Sequence, residues 1–301
     1  MFYNRRKFIR YAGTMAAGSF VWSQLGSHAG EPQVGVGAAE TAVGDLAEFG
    51  LQLYTLRDVI GQDPKEILRQ VASFGYKQVE SYEGKQGMFW GMAPADFKAY
   101  MDSLGMTCIS SHCNTGDDFE RKAAEAASIG MQYLLSPWVG PQPSLDDWKR
   151  IADEFNRLGG VCREAGIRFA YHNHDYSFVP LEDGTVPHDY LLENTDPDLV
   201  DFEMDIYWVV AAGADPIRYL EQHPGRWRLC HVKDRIKGAP MTEKEASCDL
   251  GTGSIDFPGI LRVAKDAGMS YYIVEQERYD NSTSLQSAAV DAAYLKHLRF
   301  S

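Results

Sequence analysis

The sequence has few cysteines, no long apolar run and no excess of positive charge, and each shortage narrows the reading. Its five cysteines, Cys108, Cys113, Cys162, Cys230 and Cys248, form an odd set with no repeated spacing and no CxxC pair. That pattern excludes a disulfide framework and predicts small buried thiols instead. The 29 Lys and Arg are outnumbered by 42 Asp and Glu, for a formal net charge of −13. Arg5, Arg6, Lys7 and Arg10 lie in an opening segment without acidic residues, so the remainder is more acidic still. Such a surface repels a phosphate backbone, which excludes nucleic acid as a partner unless a metal reverses the local field. No GxGxxG follows the first predicted strand, and Gly251-Thr-Gly-Ser-Ile lacks the lysine of a phosphate cradle, so a dinucleotide reading has little support. Apolar residues at 45% and charged residues at 24% are ordinary for a folded protein and exclude disordered and low-complexity classes.

The N-terminus is predicted to be an address. Asn4-Arg5-Arg6-Lys7-Phe8-Ile9-Arg10 is a basic n-region, followed by a modestly apolar stretch over 11–25 and then Ser27-His28-Ala29. The apolar stretch is about 15 residues, short of the ~20 that span a bilayer, and Gly13, Gly18 and Ser19 interrupt it. The paired arginines before Phe8-Ile9 resemble a twin-arginine export signal. The resemblance implies a signal peptide over 1–29, cleaved after Ala29, a leader over 30–47, and a periplasmic or exported domain over 48–301. An uncleaved membrane anchor is the competing reading; with cleavage no stable membrane span remains.

From residue 48 the chain alternates apolar or β-branched runs with amphipathic stretches. Strands are predicted at 49–54, 78–82, 107–112, 133–137, 168–174, 199–205, 228–233 and 271–275, with helices between them at 64–74, 94–104, 117–129 and 144–165. Asp63-Pro64 and Ala93-Pro94 put proline in a first turn, Ser144-Leu-Asp-Asp acidifies another, and Gly75, Gly105, Gly130 and Gly166 follow helices as left-handed caps. Strands recur about every 25–36 residues, and about 43 separate the last two, which is the period of a βα unit. Eight such units fit one α/β domain, a (β/α)8 TIM barrel; a doubly wound open sheet is the alternative.

In a parallel barrel the chemistry sits where strands end. Strand parity puts His172 with His174, Glu203 with Asp205, His231 with Lys233, and Glu275 with Glu277 on common faces. If those faces point inward, His172, Asp205, His231 and Glu275 converge from four successive strands. Imidazoles mixed with carboxylates suit one divalent ion, Mn²⁺ first, then Co²⁺ or Zn²⁺, with Mg²⁺ less suited to the imidazoles. Asp205 also has the simpler reading of a helix N-cap, and Lys233 that of a salt-bridge partner. Glu277 reads as rim.

These residues resemble the xylose-isomerase-like TIM barrels, the sugar phosphate isomerase/epimerase group that includes D-tagatose 3-epimerase and inosose dehydratase. The resemblance runs from about residue 48 to 298 and rests on Phe202-Glu-Met-Asp205, Cys230-His231-Val-Lys-Asp and Ile273-Val-Glu275. It implies Asp205, His231 and Glu275 as metal ligands. Strand five departs: Tyr171-His172-Asn173-His174 places His172 where the epimerases carry a Glu that also transfers a proton, and is closer to the inosose dehydratase branch.

The group's chemistry, removal of a proton beside the carbonyl of a keto sugar to give an enediolate, implies a metal-dependent sugar isomerase or epimerase. A lyase or dehydratase, inosose-dehydratase-like or eliminating a 3-keto-glycoside, is the alternative, and a non-catalytic exported sugar-binding barrel is the alternative of another class. An AP-endonuclease-like phosphodiesterase needs a multinuclear zinc site with more ligands than are in phase here. The roles expected are Glu275 as ligand and base, His172 or His174 as second acid or base, and Lys233 as electrophilic donor. Glu80, His112 and Glu203 would hold hydroxyls, while Tyr54, Trp138 and Trp208 offer flat faces to a sugar ring. Segments 175–195 and 234–255 are expected to be lids. Export favours an unphosphorylated sugar or keto sugar as partner, and homo-oligomerisation stays open.

Overall fold

Eight parallel strands close on themselves in a computed structural model that describes residues 44–300. In chain order the strands are β1 (Gly50–Gln52), β2 (Gln78–Tyr82), β3 (Thr107–His112), β4 (Tyr133–Ser136), β5 (Arg168–His172), β6 (Val200–Asp205), β7 (Trp227–Val232), β8 (Asp234–Arg235), β9 (Ser247–Cys248) and β10 (Tyr271–Val274). The helices are α1 (Pro64–Phe74), α2 (Pro94–Ser103), α3 (Phe119–Ser128), α4 (Leu145–Ala165), α5 (Pro187–Asn194), α6 (Ile206–Ala211), α7 (Pro216–Gln222), α8 (Phe257–Asp266) and α9 (Ser284–His297). The barrel runs β1-β10-β7-β6-β5-β4-β3-β2, so it is a (β/α)8 TIM barrel, and β8 and β9 form a separate antiparallel hairpin. The expected signal peptide, and the leader as far as residue 43, lie outside the described residues. Among the described residues no helix is long and apolar enough to cross a membrane.

Local chemistry accounts for the elements. Asp63 Oδ1 accepts the Glu66 amide at 3.1 Å to cap α1, and Ser144 Oγ accepts that of Asp147 at 3.3 Å to cap α4. Gly75, Gly105, Gly130 and Gly166 all take positive φ just past helices. α4 buries Trp148, Phe155, Leu158 and Cys162 on one face. Gly159 lets that face approach closely, since a Cβ there would sit 2.7 Å from the Leu199 carbonyl oxygen. All five cysteines are free thiols, four of them buried and Cys248 half-buried.

Ile109, Tyr133, Leu135, Ala170, Leu229 and Ile273 plug the barrel interior, apart from the larger core between strands and helices. Two register shifts interrupt the ladder, at Val79/Glu80 against β3 and at Phe202/Glu203 against β7. The first brings Ser110 level with Glu80, and the second brings Leu229 level with Glu203.

Several boundaries differ from expectation. β1 stops at Gln52, whose side chain accepts the Tyr54 amide and starts a 3-10 turn over Leu53–Leu56, so Tyr54 is off the strand. β5 stops at His172, where the Asn173 side chain takes over pairing with the Asp205 backbone at 3.1 and 3.2 Å. Segment 175–195 is not an open lid: it holds a 3-10 turn (Asp175–Phe178) and α5. Segment 234–255 holds the β8–β9 hairpin, and its glycine-rich turn is pinned by Asp234, whose carboxylate accepts the amides of Gly251, Gly253 and Ile255 at 3.0–3.2 Å. That turn does cradle an anion, but the anion is the protein's own carboxylate. Residues 44–47, assigned to the leader in the sequence reading, are tied to the end of α9 and beyond: the Gly44 amide donates to Lys296 and that of Asp45 to Leu298, at 2.8 and 2.9 Å.

Candidate active site

A cavity of about 350 Å³ opens at the C-terminal ends of the strands. Tyr54, Tyr82 and Trp138 form an aromatic wall, and His112, His172, His174, Glu83, Glu275 and Glu277 supply polar groups. Trp138 is 57% exposed and lies edge-on to His174, with ring centroids 4.6 Å apart.

Beneath the cavity, ionisable groups form two layers that share His231. The outer layer is His172, Asp205, His231 and Glu275, whose ligand-type atoms lie within 4.8 Å of one another. His231 Nδ1 is 3.1 Å from His172 Nε2, 3.3 Å from Glu275 Oε2 and 3.7 Å from Asp205 Oδ2, and the last is 3.5 Å from His172 Nε2. An ion bound tetrahedrally at 2.0–2.2 Å keeps its ligands about 3.3–3.6 Å apart, so these spacings suit one. Asp205 Oδ2 is buried without a hydrogen-bond partner, an orphan that a cation would satisfy. The other oxygen, Oδ1, accepts the Trp208 amide at 3.1 Å, so the simpler reading of Asp205 as the N-cap of α6 holds as well.

The inner layer is Glu80, His112, Glu203 and His231. Its shortest spacings are those of hydrogen bonds. His231 Nε2 lies 2.7 Å from Glu80 Oε1, and His112 Nε2 lies 2.9 Å from Glu203 Oε2. Gln52 Nε2 donates to Glu80 Oε1 and Ser110 Oγ to Glu80 Oε2, each at 2.7 Å.

Burial opposes every charge here, and neighbours decide which survive. Burial alone would raise the Asp205 and Glu275 carboxyls, yet the Lys233 ammonium holds both below their usual range. The Glu203 carboxyl is pushed up to about 7, by burial and then by Glu80. His112, despite burial, is raised to about 10 by Glu80 and Glu203. Burial, and then His172, lowers His174 well below the ordinary histidine value, so its imidazole is neutral.

Four expected contacts with a substrate are corrected. Glu80 and Glu203 are fully buried in the inner layer and do not line the cavity. Trp208 is buried behind the site, 5.0 Å from the Lys233 ammonium and 5.3 Å from His174. Lys233 is also fully buried; it pairs with Glu275 at 3.1 Å, Asp205 at 3.7 Å and Glu277, and does not line the cavity as an electrophilic donor. Tyr54, His112, Trp138, His172, His174 and Glu275 do reach the wall. Sequence reasoning missed Glu83, the residue just past β2, and the supporting roles of Gln52 and Ser110. Ser110 shares parity with His112, a signal that was available.

A model of the xylose isomerase-like TIM barrel matches residues 68–298. The chain belongs to the xylose isomerase-like TIM barrel family. Within that family it is 30% identical over 147 residues to the inosose dehydratase of Lacticaseibacillus casei, covering 45% of this chain and 48% of that one. The chain therefore spans about half the length of the curated relatives it matches. It is 30% identical to the crystal structure of a sugar phosphate isomerase/epimerase from Parabacteroides distasonis, with a TM-score of 0.71 over 82% of this chain and 96% of that one. IOLI protein, solved with a bound zinc atom, shares the fold at 18% identity, with a TM-score of 0.66 over 82% of this chain and 96% of that one.

Proposed function

We propose that this xylose isomerase-like barrel is a divalent-metal-dependent isomerase or epimerase of an unphosphorylated keto sugar. The observation that carries the reading is the outer layer, which presents imidazole and carboxylate atoms at ion-ligand spacing under a cavity with an aromatic wall. His172, Asp205, His231 and Glu275 would hold the ion, and the zinc atom in IOLI protein supports such a site. When bound, a divalent ion supplies Lewis-acid polarisation of the substrate carbonyl, worth several kcal/mol.

The remaining work falls to side chains. Glu275, kept ionised by Lys233, takes the proton beside the carbonyl. His174, neutral and reaching the cavity just past β5, carries a proton on a second side of the sugar; β5 and β10 are three places apart around the ring of eight. Tyr54 and Trp138 stack on the apolar face of the sugar. The described lining carries Glu83, Glu275 and Glu277 but no Lys or Arg, which disfavours a phosphorylated substrate.

Dehydration is the second reading, favoured by His172 standing in place of a carboxylate and by the inosose dehydratase relatives. We also place the enzyme outside the cytoplasm, on the strength of Arg5-Arg6 and the apolar segment behind them.

The test is metal analysis of the isolated protein, then keto sugars in D₂O before and after chelation. Recovered sugar that gains deuterium only with metal supports isomerisation or epimerisation, and a product lighter by one water supports dehydration. The His174→Gln variant is expected to lose about 10²–10⁴ in rate while keeping its metal. Metal-free protein with full activity would overturn the reading.

A further inference from the structure

Resting on the metal-site reading above, we propose that Glu80 is a positioning residue that fixes which nitrogen of His231 faces the outer layer. The chain of contacts begins on β1. Gln52 Oε1 accepts the Tyr54 amide at 3.0 Å, which turns the Nε2 end of the same side chain toward Glu80, where it donates to Oε1. Ser110 donates to the other carboxylate oxygen, and the register shift on β2 is what brings Ser110, rather than apolar Ile109, level with Glu80. With donors on both oxygens Glu80 acts as an acceptor, so His231 Nε2 at 2.7 Å brings the hydrogen. A neutral His231 then carries its lone pair on Nδ1, the nitrogen that faces His172, Asp205 and Glu275. A carboxylate behind a ligating imidazole sets its tautomer and ring orientation in this way.

The inner layer has ligand-type residues of its own, and its shortest contacts are hydrogen bonds to Glu80 and Glu203. Its contacts run from 2.7 Å, between His231 and Glu80, to 3.3 Å, between His231 and Glu203, whereas the outer contacts at 3.1–3.7 Å centre on the roughly 3.3–3.6 Å that a tetrahedral ion imposes. Hydrogen bonds occupy both Glu80 oxygens, while Glu203 Oε1 stays buried without a partner.

The experiment titrates purified wild type, Glu80→Gln and Ser110→Ala with Zn²⁺ against a chromophoric chelator, with the melting of each metal-free protein as a control. One ion per chain is expected throughout. Affinity should fall about 10–100-fold in Glu80→Gln, whose amide can turn its own N–H toward His231, and by a smaller factor in Ser110→Ala. A purely structural role would lower melting and leave affinity unchanged. Unchanged affinity in both variants overturns the proposal, as does a wild type that binds two ions while Glu80→Gln binds one. Should Glu80→Gln fail to fold, Ser110→Ala decides. A wild type that binds no ion removes the functional reading as well, which separates the two failures.

Discussion

His188 on α5 has no carboxylate bonded to it. Phe178 stacks on one side at 4.6 Å and Trp227 on another at 5.1 Å, Ser177 Oγ meets Nδ1 at 3.2 Å, and Nε2 is buried without a partner. Burial, then the charges of His223 and Arg226, push this imidazole down to about 3 from 6.5. Below the unfolded value the unfolded chain takes up a proton that the folded chain refuses, so stability is full above about pH 6.5 and is lost toward pH 3. The group is expected to remove about 1.4 kcal/mol per pH unit across that window. Urea unfolding of wild type and His188→Gln across the window checks this, since the variant should lack that part of the slope.

At the same scale, the site was legible as far as parity reaches. A strand period of two put His172, Asp205, His231 and Glu275 on common faces, and the structure brings their donor atoms together. Parity says nothing of depth. Glu203 shares the Asp205 face yet lies one layer down, and Glu80 is turned into the interior beside a register shift that no local pattern announces. Lys233 was legible as inward and, in its simpler reading, as a salt-bridge partner, which the structure bears out; its partners were not legible, because Asp205 lies on β6 and Glu275 and Glu277 follow β10.

Among elements, α4 is the longest and its fit depends on Gly159. Gly159→Ala pushes a methyl group against the Leu199 backbone, which cannot yield as a flexible side chain would. A loss of about 1–3 kcal/mol is expected from such overpacking, with bound metal unchanged because the contact is remote from the cavity. Thermal melting together with metal content checks it. Strands and the four helices up to residue 165 were readable from their periods and α6 from its Asp205 cap, but short α7 was not, since it is too short to show a period. The segments expected as lids are ordered, which their length alone did not reveal. Their order comes from contacts distant in sequence, Asp234 with Gly251 and Gly253 above all.

For the whole molecule, the domain begins earlier than its first strand. Gly44 and Asp45 donate to Lys296 and Leu298, the Asp45 carboxylate accepts the Phe300 amide, and Leu46 is buried. A chain starting at residue 44 keeps all of these contacts. One starting at 48 should lose ~3 kcal/mol, from one buried leucine and a few backbone hydrogen bonds. Chemical denaturation of the two truncations measures the difference. β1 also pairs directly with β10, so opening and closing segments are joined both at the staves and at the hoop. Fraying at one extremity of the described chain must therefore drag the other with it, and the wheel should come apart all at once rather than spoke by spoke.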